Sequence, residues 1–309
     1  MKNHSKAALL LFGPLKPAWR VIMSIKLQNV SYIYGLNSGH EKVALRDINL
    51  EINDGGFIGI AGHTGSGKST LVQLLDGLER ASSGKIYYNG QDIYDKSFDM
   101  RGLRAKVGLV FQYPEHQLFE TTVINDVQFG PKNLGLPLLE VELRSYEALK
   151  MTGIGDDLID VSPFALSGGQ KRRVAIAGVL AMKPEVLVLD EPAAGLDPAG
   201  RTEIFGLLKK LHKENNITVI IVSHSMEDIA KYVDRLIVMN NGSIVLDGKP
   251  TEIFQFEKEL EKIGLGVPQA AKVIHQLRDA GASITGGYIT ADESAEAIYK
   301  WLKNGEYKR

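Results

Sequence analysis

The sequence predicts an α/β fold whose strands are covered on both faces. Three features carry that expectation. Short, nearly continuous apolar runs recur along the chain, among them "GFIGIAG", "KVGLVFQ", "EVLVLDEP" and "ITVIIVSH", as buried strands require. Stretches with helical spacing separate these runs, which is the pattern of an α/β core. A glycine-rich loop, "GHTGSGKST" from Gly62 to Thr70, joins the first run to an amphipathic segment.

The chain has 309 residues, and its elements follow in order. Residues 1–23 contain "AALLLFGPL", preceded by Lys2 and Lys6 and broken by Gly13 and Pro14. This imitates a signal peptide, but no small-residue cleavage site follows. Strand-like alternation begins only at "MSIKLQNVSYIY", so Met23 is an alternative start and residues 1–23 are expected to be peripheral. No stretch approaches the ~18–20 apolar residues that span a bilayer. Residues 24–250 form the expected α/β domain. After its glycine loop, Leu71, Leu74, Leu75 and Leu78 fall on one face of a helix. "RLIVMNNGSIVLDG" reads as two strands about an Asn-Gly turn. Beyond Pro250 the pattern becomes helical, and residues 251–309 are expected to form a small extension. There Thr290 is the expected N-cap, Glu293 its capping-box partner, and Gly305 the terminator. His275 reads as isolated on a helical run. Ile274, Leu277, Ile298, Trp301 and Leu302 are expected to bury one face against the core or a partner.

Composition narrows the chemistry. Thirty-six basic and 37 acidic residues give a net charge of −1, so nothing draws the whole chain to nucleic acid. The absence of cysteine excludes disulfides, thiolate metal sites and cysteine catalysis.

Gly62, Gly67, Lys68 and Ser69 match G-x-x-x-x-G-K-[ST] between a strand and a helix. The loop Gly62, His63, Thr64, Gly65, Ser66, Gly67 to Thr70 is therefore the expected phosphate cradle. Glycine lets its backbone N–H groups close on an anion, and the following helix adds its positive end. His63 is expected to contribute mainly its backbone N–H. Lys68 is expected to reach the β- and γ-phosphates, and Ser69 to ligate Mg²⁺. The run "VLVLDEP" ends on two carboxylates at the sheet's carboxyl edge. Asp190 is suited to hold Mg²⁺ through its hydration shell, and Glu191 to orient and polarise an attacking water.

A second glycine run, "LSGGQKRRVAIAG", begins about a hundred residues later. With "LSGGQ", the chain resembles the nucleotide-binding subunits of ABC transporters. The resemblance implies a P-loop NTPase core with a helical signature subdomain, an antiparallel N-terminal β subdomain and the helical C-terminal extension. It also implies ATP and Mg²⁺ as cofactors. Ser167, Gly168, Gly169 and Gln170 would then face the γ-phosphate held by another subunit. The physical reading agrees, because a hydroxyl, free N–H groups and a helix N-terminus make a second anion site. Two ATPase chains would meet head to tail, each holding half of each site. For Lys171, Arg172 and Arg173 a solvated or phosphate-facing helix is expected rather than a nucleic-acid patch.

Further positions follow from the resemblance. Tyr34 matches the aromatic that stacks on adenine, with Tyr32 competing for the role. Gln112, closing "VGLVFQ", matches the glutamine that joins metal and attacking water to the membrane partner. Asp197 matches the loop crossing the dimer interface, and His224 the histidine at the γ-phosphate. Ala193 departs from a common threonine, with no catalytic defect implied.

"FQYPEHQLFE" and "LGVPQ" resemble the energy-coupling factor (ECF) transporter ATPases, and within them the A-prime subunit. That implies a heterodimer with a second related ATPase at the cytoplasmic face of the cell membrane. The dimer would dock on a transmembrane T subunit, beside a membrane-embedded S component that captures a vitamin or metal ion. Leu118 and Phe119 are expected either to line the docking groove or to pack within the helical subdomain. The extension is expected to support ATPase pairing. Within transport the alternative is the ATPase of a conventional importer or exporter. Against a soluble ABC ATPase stand the missing inserted heptads of chromosome-type members and the single cassette of this sequence, where translation-type members carry two.

Overall fold

A computed structural model describes residues 24–303. Met23 and Gly305, named above as a start and a helix terminator, lie outside them. The chain begins with β1 (Ser24–Tyr34), β2 (Lys42–Asn53) and β3 (Phe57–Ala61), then the phosphate-loop helix α1 (Lys68–Leu75). There follow β4 (Ser83–Tyr88), β5 (Gln91–Asp92), α2 (Met100–Lys106) and β6 (Val107–Val110). A helical lobe comes next, with a 3-10 turn over Pro114–His116, α3 (Val123–Asn133), α4 (Leu138–Met151) and α5 (Gly168–Leu180). The chain then returns through β7 (Val186–Asp190), α6 (Pro198–Asn215), β8 (Thr218–Val222), α7 (Met226–Tyr232), β9 (Arg235–Asn240) and β10 (Ser243–Gly248). The extension holds α8 (Pro250–Ile253), α9 (Glu257–Lys262), α10 (Gln269–Asp279) and α11 (Ala291–Lys303).

Two sheets result. One is antiparallel, in the order β2-β1-β4-β5; the other runs β10-β9-β3-β8-β7-β6. In the second, β9, β3, β8, β7 and β6 are parallel and only the β9–β10 hairpin is antiparallel. Its Asn241-Gly242 turn has positive φ at both residues (48° and 80°), as a tight hairpin requires.

Alternation explains why the parallel strands read as continuous apolar runs. Ile58, Ile60, Val186, Val188, Ile220 and Val222 face the antiparallel sheet and α1. Their neighbours Phe57, Ala61, Leu187, Leu189, Val219 and Ile221 join the core on the other face. Gly59 lies in β3, where a Cβ would come within 3.2 Å of Val233.

Four expectations need correction. Leu78 does not extend the α1 stripe: the helix ends at Leu75, and Leu78 is exposed. The Gly77 turn, at φ 70°, carries the chain off the helix before a further turn can form. Arg172 is not solvated but only 2% exposed, for reasons given below. The extension meets the chain's own core, since Ile253, Phe254, Leu260 and Ala271 belong to the main cluster. Its remaining apolar face closes on itself, with Ile274, Ile284 and Ala297 packed against Leu277, Ile298 and Trp301. Leu302 stays exposed. His275 is not isolated, because its Nδ1 lies 2.5 Å from a Glu257 carboxylate oxygen. The Thr290–Glu293 capping box forms, with reciprocal bonds of 3.3 and 3.4 Å.

Candidate active site

Three adjacent strands, β3, β8 and β7, end side by side, and their carboxyl ends carry the site. From β3 the chain enters the loop 62–67. Gly62 has no room for a side chain, since a Cβ would meet Ser66 Oγ at 2.4 Å and Met239 O at 2.5 Å. Gly67 turns at φ 103°, where a Cβ would fall 2.6 Å from Ala44 O. Gly65 also has positive φ, but space around it is open. Lys68 Nζ donates to Gly62 O at 2.8 Å and His63 O at 3.1 Å, so the lysine arches over its own loop. Burial lowers the Lys68 pKa, opposed by Glu191 and then Asp190.

Ser69 Oγ donates to Asp190 Oδ2 at 3.0 Å, bridging 121 residues of sequence. Burial holds the Asp190 carboxyl above its usual range, against the Ser69 bond and the Lys68 charge. A hydroxyl and a carboxylate converging in this way suit a hard oxygen-seeking cation such as Mg²⁺. Among the described residues no cluster of three His, Cys, Asp or Glu could hold a metal alone.

Glu191 follows Asp190 with φ 50°, a left-handed conformation that turns its carboxylate out of the strand direction. Its Oε1 lies 2.8 Å from His224 Nδ1, two residues beyond β8. Tyr34 OH and Thr70 Oγ1 are 2.9 Å apart. Tyr34 is exposed, whereas Tyr32 is buried and donates to Glu79 Oε2 at 2.5 Å. Of the two, Tyr34 is the accessible ring, packed edge to face on Tyr32 with centroids 4.8 Å apart. Gln112 is exposed and stands two residues beyond the end of β6 rather than closing it.

The signature run opens α5 as expected, with a feature the motif alone did not reveal. Ser167 caps the helix by accepting from Gln170 N at 3.3 Å, and Gln170 Oε1 accepts from Ser167 N at 2.9 Å. Gln170's side-chain oxygen is thus engaged by its own helix start. A Cβ at Gly168 or Gly169 would meet nothing within 4 Å, so no contact inside the chain requires glycine there. Asp197 likewise caps α6, accepting from Gly200 N at 2.8 Å.

Sequence reasoning missed several supporting residues. Asn240 Oδ1 lies 3.0 Å from His63 Nε2, and Gly242 N donates to Ser66 O at 3.0 Å. The β9–β10 turn thus props the phosphate loop from behind and occupies the His63 ring. The Asn-Gly pair signalled a hairpin but not what it leans on. Arg172 and Glu115 were missed as a pair, because 57 residues separate them.

The family model described as "ABC transporter" matches residues 45–194. An energy-coupling factor transporter ATP-binding protein, EcfA2 of Caldanaerobacter subterraneus subsp. tengcongensis, is 54% identical over 91% of this chain and 98% of the relative. This chain belongs to the ATP-binding subunits of energy-coupling factor ABC transporters. The EcfA2 of Clostridium perfringens is 52% identical, covering 91% of this chain and 99% of that protein. Among solved structures, cbiO1 of Clostridium perfringens, part of the ABC transporter complex cbiONQ, superposes with a TM-score of 0.68. It is 41% identical over 82% of this chain and 98% of its own. The dimeric ATP-binding cassette MJ0796, bound to ADP and Pi in a post-hydrolysis state, gives a TM-score of 0.65 at 32% identity. That match covers 73% of this chain and 98% of the cassette. In this ABC ATPase no helix among the described residues is long and apolar enough to cross a membrane.

Proposed function

We propose that this subunit hydrolyses Mg²⁺–ATP at the ends of β3, β7 and β8, as the A-prime member of a head-to-tail ATPase pair. The observation that carries this reading is the Ser69–Asp190 contact, which joins the start of α1 to the strand that ends just before Glu191. Backbone N–H groups of the loop, the α1 N-terminus and Lys68 bind the phosphates. Ser69 and Asp190 hold Mg²⁺, which supplies charge neutralisation at the phosphate oxygens. Glu191 orients the attacking water and takes its proton, and His224 fixes that carboxylate and contacts the γ-phosphate. Tyr34 stacks on adenine.

The bare Gly168-Gly169 backbone supports the dimer. Glycines that no internal neighbour demands leave a helix N-terminus open to close approach, here by ATP held in the other ATPase. Asp197 lies in the loop that crosses to that partner.

A groove of about 730 Å³ between α2 and the helical lobe fits the membrane partner. Arg101, Arg104, Leu118, Phe119, Phe129 and Met182 contribute to its lining. The two residues singled out in the sequence divide the work. Leu118 is buried in the lobe, while Phe119 is 57% exposed and meets Phe129 edge to face. We assign the groove to the T subunit and Gln112 to the link between groove and nucleotide. The pair then sits peripherally on the cytoplasmic face, and a separate S component selects the vitamin or metal ion. Co-purification from membranes tests this reading. A T subunit and a second related ATPase should accompany the chain, and Phe119→Asp should release the T subunit without loosening the ATPase pair. Copurification with a conventional importer's membrane domains would overturn it.

A further inference from the structure

Arg172 is charged yet almost wholly buried, one turn into α5 after the signature. Its guanidinium uses every face. Nε and Nη2 grip Glu115 in a fork, at 3.1 Å to Oε2 and 2.8 Å to Oε1. Nη1 donates to Pro192 O at 2.9 Å and Ala194 O at 3.0 Å. One side chain therefore ties together three segments: the signature helix, the 3-10 turn after Gln112, and the loop after Glu191.

Two further contacts tighten this junction. Ala194 N donates to Glu191 O at 3.1 Å, so the carbonyls held by Arg172 belong to the turn that keeps Glu191 at positive φ. Tyr113, in the same segment as Glu115, reaches that loop too, since a Cβ on Gly195 would lie 3.9 Å from its ring. Glu115 itself stands three residues from Gln112 and three from Leu118, which lines the groove.

Stability alone does not call for such an arrangement. Desolvating a guanidinium and a carboxylate is costly, and apolar residues of similar volume commonly serve as well or better. What an apolar pair cannot do is fix direction. A planar fork with carbonyls on its far edge sets both the distance and the orientation of the segments it joins.

We propose that the Arg172–Glu115 pair is a positioning strut. It holds the loop 192–194, and through it the Glu191 carboxylate, in register with the segment that floors the groove, so that docking in the groove sets the geometry of hydrolysis. The inference rests on the hydrolytic role of Glu191 and on the T subunit as the groove's occupant.

The test uses the complete membrane complex with the partner ATPase's own hydrolytic site silenced, so that turnover reports this chain's Glu191. Glu115→Gln keeps shape and removes the charge; Arg172→Lys keeps the charge and loses the fork. ATP dissociation constant, KM, kcat and thermal midpoint are measured for each, with and without the T subunit. A strut predicts that kcat in the complex falls by about 10- to 100-fold, the scale of a small misplacement at a reacting centre. ATP affinity and KM stay near wild type, and the stimulation by the T subunit is lost in both variants. The thermal midpoint falls because the buried charge is left poorly paired, so kcat is read well below each variant's midpoint. Wild-type kcat and stimulation in stable variants would overturn the strut. So would a loss of kcat that merely tracks lowered ATP affinity, or one that disappears when the variants are assayed well below their thermal midpoints. A wild-type complex that never recruits a T subunit, or never hydrolyses ATP, would instead sink the underlying functional reading, and that control is scored before any variant.

Discussion

The imidazole Nδ1 of His224 stands 2.8 Å from Oε1 of Glu191. The pairing follows from sheet topology, because β7 and β8 are parallel neighbours and Asp190 lies in register with Val222. Glu191 N donates to Val222 O at 3.0 Å, which continues the pairing past β7, and the positive φ of Glu191 then brings its side chain to that of His224. His224 is 74% exposed at its side chain and Glu191 only 15%, so the histidine can meet a ligand while the carboxylate stays sheltered.

Glu191→Gln keeps the outline of the side chain and removes the base. Hydrolysis at this chain's site should fall by about 10²–10⁴-fold, the usual range for loss of a positioned general base. Equilibrium titration should show ATP affinity retained. Because the partner ATPase completes another site, turnover is measured with that site silenced. Turnover near wild type would remove Glu191 from the chemistry.

Tyr34 and Tyr32 separate by mutation. Tyr34→Ala should weaken ATP binding by about 1–3 kcal/mol, the scale of one base stacked on an aromatic ring. Tyr34→Phe should bind nearly as wild type, since the ring remains and only the Thr70 contact goes. Tyr32→Phe should leave affinity unchanged, its hydroxyl being committed to Glu79. Equal losses in Tyr34→Ala and Tyr32→Ala would reopen the assignment.

Asp76 makes stability depend on pH. Burial pushes its carboxyl from the ordinary 3.8 up to about 6, against the Leu78 N–H bond and the Arg104 charge. Between those values the folded chain keeps a proton that the unfolded chain releases, so this residue's contribution falls as pH rises through the window. Asp76→Asn should therefore gain up to about 3 kcal/mol over wild type at neutral pH, the gain closing toward zero near pH 4. Urea unfolding midpoints across that range check both sign and window. A gain that does not change with pH would exclude titration of Asp76 as its cause.

The exposed face of α11, with Tyr299 and Leu302, is where the extension would support pairing. Deleting everything after Pro250 would also strip Phe254 and Leu260 from the main core, so surface changes are the cleaner test. Tyr299→Ser with Leu302→Asp should weaken association of the two ATPases without nucleotide by about tenfold, the scale of a modest interface contact. ATP affinity should not move. Unchanged sedimentation would assign the extension to its own subunit alone.

The parallel strands, the phosphate loop, the Asn-Gly hairpin, the Thr290 cap and the second glycine run were all legible in the sequence. Each depends on residues within one strand, one turn or one helix end, where backbone geometry and burial act over a few positions. The α1 stripe misled at Leu78 because periodicity cannot see that Gly77 has already turned the chain. What only the tertiary structure decided are contacts between segments distant in sequence. Ser69 finds Asp190 across 121 residues, and the hairpin turn props His63 across 177. Tyr32 is removed from competition by Glu79, 47 residues away. Arg172 read as part of a basic, solvated helix because Lys171 and Arg173 flank it. Its burial depends on Glu115 and on two carbonyl oxygens, and a carbonyl acceptor leaves no mark on residue identity.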